Sequence, residues 1–406
     1  MDSIKLILPL AWRNLWRNKR RSLLTMLAIF VAVMSMVTLG AFMRAWGDAS
    51  ITEAINNLTG HGQIHAPEYL DDPNIDHRIQ SLPQQLNEQL QQMPITQFAL
   101  RVRVPAILRT ERESAPIELL GIQPKKEIGL SFIGEAIKQG RYLNNSEDNG
   151  ILIGKKLAER LQTQLGRRLV VMSQGKDGSI KERGFKIVGL FSGQPALEKS
   201  LAFVSIDIAR SLLQIDQDFS EVAFRVEQES QVAAIIEKMR GQAPELDVQA
   251  WDELEPFTKA MVEMNDGAIL IWILVSFAVV SFGLINTLLM AVFERMREFG
   301  LLQALGMKPR WLLLQILIES SFMVLVATVA GLAVGIGIVV AFNDGLDLGI
   351  GASYFGAAQV VYPQMDWGET IFIGVTVLFL GVLASLYPAI KAARQVPVDV
   401  LTRATN

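Results

Sequence analysis

At 406 residues, half of them hydrophobic, 19% charged and with a mean hydropathy of +0.29, the chain is too long for one small domain and too apolar for an ordinary soluble protein. A net charge of −3 gives no basic surplus for nucleic acid. The absence of cysteine excludes disulfides and thiolate metal sites.

Residues 1–21 set Lys5, Arg13, Arg17, Lys19, Arg20 and Arg21 against one acid, Asp2, with Leu6, Leu8, Leu10, Trp12, Leu15 and Trp16 interleaved. This pattern predicts an amphipathic helix at the cytoplasmic membrane interface. A first transmembrane helix is expected over 22–46. Its uncharged stretch, Ser22–Met43, is long enough to cross about 30 Å of hydrocarbon. It outlasts a signal-peptide core and closes on Arg44 and Trp46, as a retained anchor would.

From 47 to 266 no run is apolar enough to span. Strand-like pieces lie at Gly62–His65, Gln97–Leu108, Ile117–Gly121, Gly150–Ile153, Arg168–Met172, Phe185–Phe191, Leu201–Val204 and Glu221–Val226. Helix-like pieces lie at Arg78–Gln92, Lys155–Leu165, Ile206–Leu213 and Gln231–Gly241. The mixed order predicts an α+β domain in two lobes, and polar Ser173–Gly184 reads as a hairpin tip. Ser50–Ile55 reads as a continuation of the first helix.

Further spans are predicted at 267–293, 311–343 and 370–390, with loops at 294–310 and 344–369 and a tail at 391–406. Glu319 interrupts the third span near its start and reads as a snorkelling or helix-end carboxylate. Gly331, Gly335 and Gly337 suit close helix approach. Basic residues concentrate in the N-terminal segment, the 294–311 loop and the tail, whereas 344–369 holds four acids and no base. Positive-inside counting therefore puts both termini and the 294–310 loop in the cytoplasm and the large domain outside it. The expected fold is an α-helical membrane protein with four transmembrane helices and a large α+β extracytoplasmic domain inserted between the first and second.

Motifs for chemistry are few. No phosphate-binding loop occurs: Gly154-Lys155-Lys156 lacks the leading glycine and the hydroxyl residue. No Gly-x-Ser-x-Gly elbow occurs. His61 and His65 would share a helical face as metal ligands do, but Gly60, Gly62 and Pro67 argue for a strand. These two and His77 read as structural or surface residues. Nearly uncharged spans disfavour an ion-coupled carrier.

Glu294–Arg310, ERMREFGLLQALGMKPR, is the segment of most interest. Arg295/Glu298 and Glu294/Arg297 are spaced to pair along a helix. Phe299–Leu305 is more apolar than a solvated turn requires, as if it fits a groove. Gly306 stands where the helix would stop, and Pro309 suits the first turn of the next.

The segment ERMREFGLLQALGMKPRWLLLQILIES resembles the FtsX-like permease domain. YPAIKAARQVPVDVL (Tyr387–Leu401) is similar to the ending of that domain, and AWRNLWRNKRRSLL (Ala11–Leu24) to the family's opening. GILIGKKLAERLQTQLGRRLVV (Gly150–Val171) and FKIVGLF (Phe185–Phe191) resemble its extracytoplasmic part. The family is the MacB/LolC/LolE/FtsX group of ABC transporter permeases. The resemblance implies a non-catalytic subunit that works as a dimer, with a copy of itself or a paralogue, beside separate ABC ATPase subunits. ATP and Mg would be bound by those ATPase subunits and no cofactor by this chain. MacB itself carries its ATPase fused at the N-terminus. The lipid bilayer is the setting, and a periplasmic chaperone or adaptor an open further partner. Glu294, Arg295, Arg297, Glu298, Phe299, Gly300, Leu302, Leu305 and Gly306 would form the coupling helix seated in the ATPase. ATP-driven closure would then move the periplasmic domain of a bacterial inner-membrane protein. The domain's size favours lipoprotein release or export of peptides and hydrophobic molecules over a regulatory scaffold that switches a periplasmic hydrolase.

Overall fold

A computed structural model describes residues 19–92, 94–349 and 360–394. The expected interfacial helix of 1–21 and the tail motif beyond 394 lie almost wholly outside them. Labelling helices of eight residues or more, the chain runs α1 (Lys19–Ala54), β1 (Gly62–His65), α2 (Gln84–Gln92), β2 (Ile95–Arg109), β3 (Ser114–Ile122), β4 (Ile137–Gly140) and β5 (Gly150–Gly154). It continues through β6 (Arg168–Gln174), β7 (Ile180–Phe191), β8 (Leu201–Ser205), α3 (Ile206–Leu213), β9 (Glu221–Val226), α4 (Val232–Gln242) and β10 (Asp247–Ala250). Four further helices follow: α5 (Pro256–Glu294), α6 (Met296–Ala304), α7 (Pro309–Ala341) and α8 (Trp367–Ala393). The chain divides into two units, Asp48–Val262 with 348–359, and the remainder.

The second unit contains the apolar helices. Among the described residues, four helices, beginning at Lys19, Pro256, Pro309 and Trp367, are long and apolar enough to cross a membrane. Their inward faces meet in one cluster that includes Val33, Met36, Ile273, Phe277, Val324 and Val377. Their outward faces carry exposed Leu270, Ile271, Val279 and Phe282 on α5 and Phe372, Val375 and Phe379 on α8. Exposed apolar surface of this extent is at home in lipid. Close approach between α7 and α1 rests on two glycines: a Cβ at Gly331 would lie 2.8 Å from the Phe30 carbonyl oxygen, and one at Gly335 3.1 Å from Val37. Gly337 is different, since a Cβ there meets nothing within 4 Å. At the end of the bundle nearer the large domain in sequence, Arg44 on α1 is ion-paired with Glu369 on α8. There too, Asn265 donates to the Met43 carbonyl at 2.9 Å.

The large domain is built on the fifteen-residue strand β2. Its first half pairs with β9, and β1 and β10 extend that side as an antiparallel sheet. Its second half pairs with β3 and β6. From there the pairings run β3–β8–β5–β7–β6 and return to β2, closing a six-stranded ring. The two expected lobes thus share one strand. In its second half the side chains alternate, and Val102, Val104, Ala106 and Leu108 all face the core. β4 and β10 were not anticipated: they are four-residue edge strands with mostly polar or exposed positions, which leave no alternating pattern. Helix α2 starts at Gln84 rather than Arg78, because Pro83 sits just ahead of it and Arg78 is drawn to Asp218 at 3.0 Å. The hairpin tip is narrower than Ser173–Gly184, as β6 and β7 extend into it.

At the middle of β2 the core contains a charge cluster. Arg101, fully buried, contacts Glu127 at 2.7 Å and Glu221 at 2.9 Å and donates to the Leu58 carbonyl. Burial alone would push the Glu221 carboxyl up; Arg101, Arg103 and nearby His65 outweigh it and hold the group below the usual carboxylate range. His65 Nε2 is 3.9 Å from Glu221 Oε2, too far for a hydrogen bond, so its pull is through space.

Candidate functional site

The segment after α5 turns sharply at Arg295 and forms α6, Met296–Ala304. Its end is fixed by the backbone: the Met307 N–H donates to the Leu302 carbonyl and the Gly306 N–H to the Gln303 carbonyl, both at 3.0 Å. This paired closure requires a left-handed residue, and Gly306 supplies it with φ +94°. Pro309 then opens α7 at its first turn.

Helix α6 has two distinct faces. Inward, Phe299 is buried in a cluster with Val292 of α5, Leu312 and Ile316 of α7, and Ala389 and Ala392 of α8. Gly300 beside it is buried. Arg295, at the N-terminal cap, spreads Nη1 across both oxygens of Glu319 on α7, at 3.2 and 3.3 Å. Their side chains are only 7% and 13% exposed. Outward, Arg297, Glu298, Leu301, Ala304 and Leu305 are exposed, Leu301 at 56% and Leu305 at 77%. Arg297, Leu301 and Leu305 follow one another at i, i+4, so the two leucines form a stripe with a cation at its head.

One expectation needs correction. Glu319 is not a snorkelling carboxylate; it lies against a guanidinium, which is how a carboxylate at a span's edge is stabilised. Beyond the segment itself, Glu294 meets Arg21 of α1 and Arg295 meets Glu319 of α7, so these ion pairs join helices. Of the nine residues singled out from sequence, Arg295, Phe299 and Gly300 anchor the helix and Leu302 is half-buried. Glu294, Arg297, Glu298, Leu305 and Gly306 are exposed. Leu301 was missed, although its spacing from Arg297 and Leu305 on one helical face is visible in the sequence.

His65 lies wholly buried in β1, and His61 Nδ1 accepts from the Val226 N–H at 3.1 Å. Burial, reinforced by Arg225, pushes the His61 imidazole below its ordinary value.

Comparison with known proteins agrees with this architecture. Residues 22–242 match the MacB-like periplasmic core domain and residues 270–397 the FtsX-like permease C-terminal domain. The chain is 24% identical to the lipoprotein-releasing system transmembrane protein LolC of Neisseria meningitidis over 95% of each chain. It is 20% identical to LolE of Haemophilus influenzae over 97% of this chain and 98% of that one. It is 25% identical to the pyoverdine export ATP-binding/permease protein PvdT of Pseudomonas fluorescens, covering 97% of this chain and 58% of the relative. With both domains matched in order, the chain belongs to the family of ABC transporter permeases that combine a MacB-like periplasmic core with an FtsX-like permease domain.

Proposed function

We propose that this chain is the mechanical subunit of an ABC transporter, with α6 as the element on which a separate ATPase acts. Membership of the permease family implies an ATPase partner and a membrane setting. The observation that carries the reading is the two-faced build of α6. Phe299 and Arg295 tie it to α5, α7 and α8, while Leu301 and Leu305 present an apolar stripe to the outside. An exposed amphipathic helix face of this kind fits a hydrophobic groove on a soluble partner.

The positive-inside charge distribution supports placing α6 and both termini on the cytoplasmic side of a bacterial inner membrane and the large domain on the periplasmic side. Motion imposed on α6 reaches α7 through the Arg295–Glu319 pair and α8 through Phe299 against Ala389 and Ala392. At the opposite end of the bundle, Arg44–Glu369 and Asn265–Met43 pass it between α8, α1 and α5. Packed helices of this kind respond by shifting as bodies. Full-length similarity to lipoprotein-releasing proteins favours release of lipoproteins or related acylated cargo, by a dimer of such subunits.

The chain lacks cysteine, so a single Cys at position 301 can be cross-linked without a background. Leu301→Cys is expected to cross-link to the co-expressed ATPase, and Val279→Cys, on the lipid-facing side of α5, is not. Equal yields from the two positions contradict the assignment.

A further inference from the structure

The large domain contains a cavity of about 460 Å³ lined by the chain where it enters the domain and where it leaves. Asn57, Leu58 and Thr59 line it on one side and Leu254, Glu255 and Phe257 on the other. Its inner wall carries His65, Arg103, Glu118 and Glu221 from the sheet. The size is that of a small-molecule pocket.

Two fully buried side chains on this wall carry polar atoms without hydrogen-bond partners. Among the described residues, neither ring nitrogen of His65 nor Oε2 of Glu221 has a hydrogen-bond partner, His65 Nε2 and Arg103 both standing 3.9 Å from that oxygen, and the two side chains are 0% and 1% exposed. His65 is held in place by stacking on Tyr69, ring centroids 5.3 Å apart. Buried polar atoms are almost always satisfied, so such a pair beside a cavity marks a place for an external partner.

The charge on the wall indicates which kind. Arg103 is committed to Glu118 at 2.7 Å and stays 3.9 Å from Glu221 Oε2. Arg101 lies behind, engaged by Glu127 and by the other oxygen of Glu221. Among the residues lining the cavity, the one guanidinium of Arg103 faces the carboxylates of Glu118, Glu221 and Glu255, so negative charge is in surplus whichever form His65 takes. Burial raises the Glu255 carboxyl above its ordinary value, with Arg103 and a hydrogen bond from Thr59 opposing it only in part. An anionic ligand would meet this surplus with no uncommitted guanidinium to bind it. No group of three metal ligands is assembled among the described residues, which favours an organic cation over a metal ion. Leu70, Pro73, Leu197 and Phe257 supply apolar walls.

We propose that this cavity binds a small organic ammonium ligand, its charged head held by the carboxylates of Glu221 and Glu255 and its apolar body packed against Leu70, Leu197 and Phe257. The site is separate from α6 and does not depend on the coupling role assigned there. Both stems of the domain line it, so an occupant touches the chain on its way in and on its way out.

The test is calorimetric titration of the full chain in nanodiscs with phenethylammonium, and with phenylacetate as a probe of matched shape and opposite charge. Phenethylammonium is expected to bind with a Kd of about 1 mM or tighter, and phenylacetate at least about tenfold more weakly. Glu255→Gln, at a half-exposed position outside the buried cluster, should weaken the ammonium about tenfold with the melting temperature unchanged. Leu197→Trp, which fills the pocket, should abolish binding. Absence of ammonium binding up to about 10 mM, equal binding of phenylacetate, or full binding by both variants overturns the proposal.

Discussion

Arg295 and Glu319 are 24 positions apart in sequence and meet at 3.2 Å, joining the cap of α6 to the third turn of α7. Both side chains are largely shielded, so the pair is stable only while both charges are present. Glu319→Gln removes the carboxylate charge that faces Arg295 and should cost up to about 3–5 kcal/mol of stability. Thermal unfolding in detergent should show a lowered midpoint, and the exchange Arg295→Glu with Glu319→Arg should recover part of the loss. A swap no better than the single variants would mean the pair is not a direct interaction.

Gly306 closes α6 at φ +94°, a conformation that side-chain-bearing residues rarely adopt. Its surroundings are open, so the cost of Gly306→Ala is backbone strain alone, about 1–3 kcal/mol. Hydrogen exchange on Leu301–Met307 should rise in this variant while the large domain is unaffected.

The α1–α7 contact makes a paired prediction. Gly331→Leu drives a side chain into Phe30 and Val33 and should destabilise by about 1–3 kcal/mol. Gly337→Leu, one turn and a half away in open surroundings, should be near neutral. Similar melting curves for the two would contradict the packing.

Acid should unfold the large domain through Glu221. Its folded pKa is depressed below the unfolded value of about 4.3, so its contribution is fully present above that pH. As pH falls through the folded value the carboxylate is protonated and the contribution is lost. Stability measured by tryptophan fluorescence should therefore decline below about pH 4. Glu221→Gln should flatten this decline while lowering stability at neutral pH, because Arg101 then loses one of the two carboxylates that pair with it.

The four spans, the α+β domain and the strands around Gly62–His65 and Glu221–Val226 were legible because their signals are local: long uncharged runs, or short β-rich runs between turn residues. The end of α6 was legible for the same reason, in Gly306 and Pro309. What sequence could not supply is pairing across distance. Glu319 looks like an isolated carboxylate until α7 folds back on Arg295, and nothing in β2 announces that its two halves serve different sheets. Leu301 is the exception, since helical spacing alone points to it.

The most direct test of the account is the outward face of α6. Leu301→Asp with Leu305→Asp changes two exposed side chains and leaves Phe299 and the Arg295–Glu319 pair in place. The expected result is a normally inserted, normally melting chain that retains less than about a tenth of its co-purifying ATPase, a loss of ~1.4 kcal/mol or more. Wild-type ATPase recovery and wild-type coupling of hydrolysis in that double variant would contradict it.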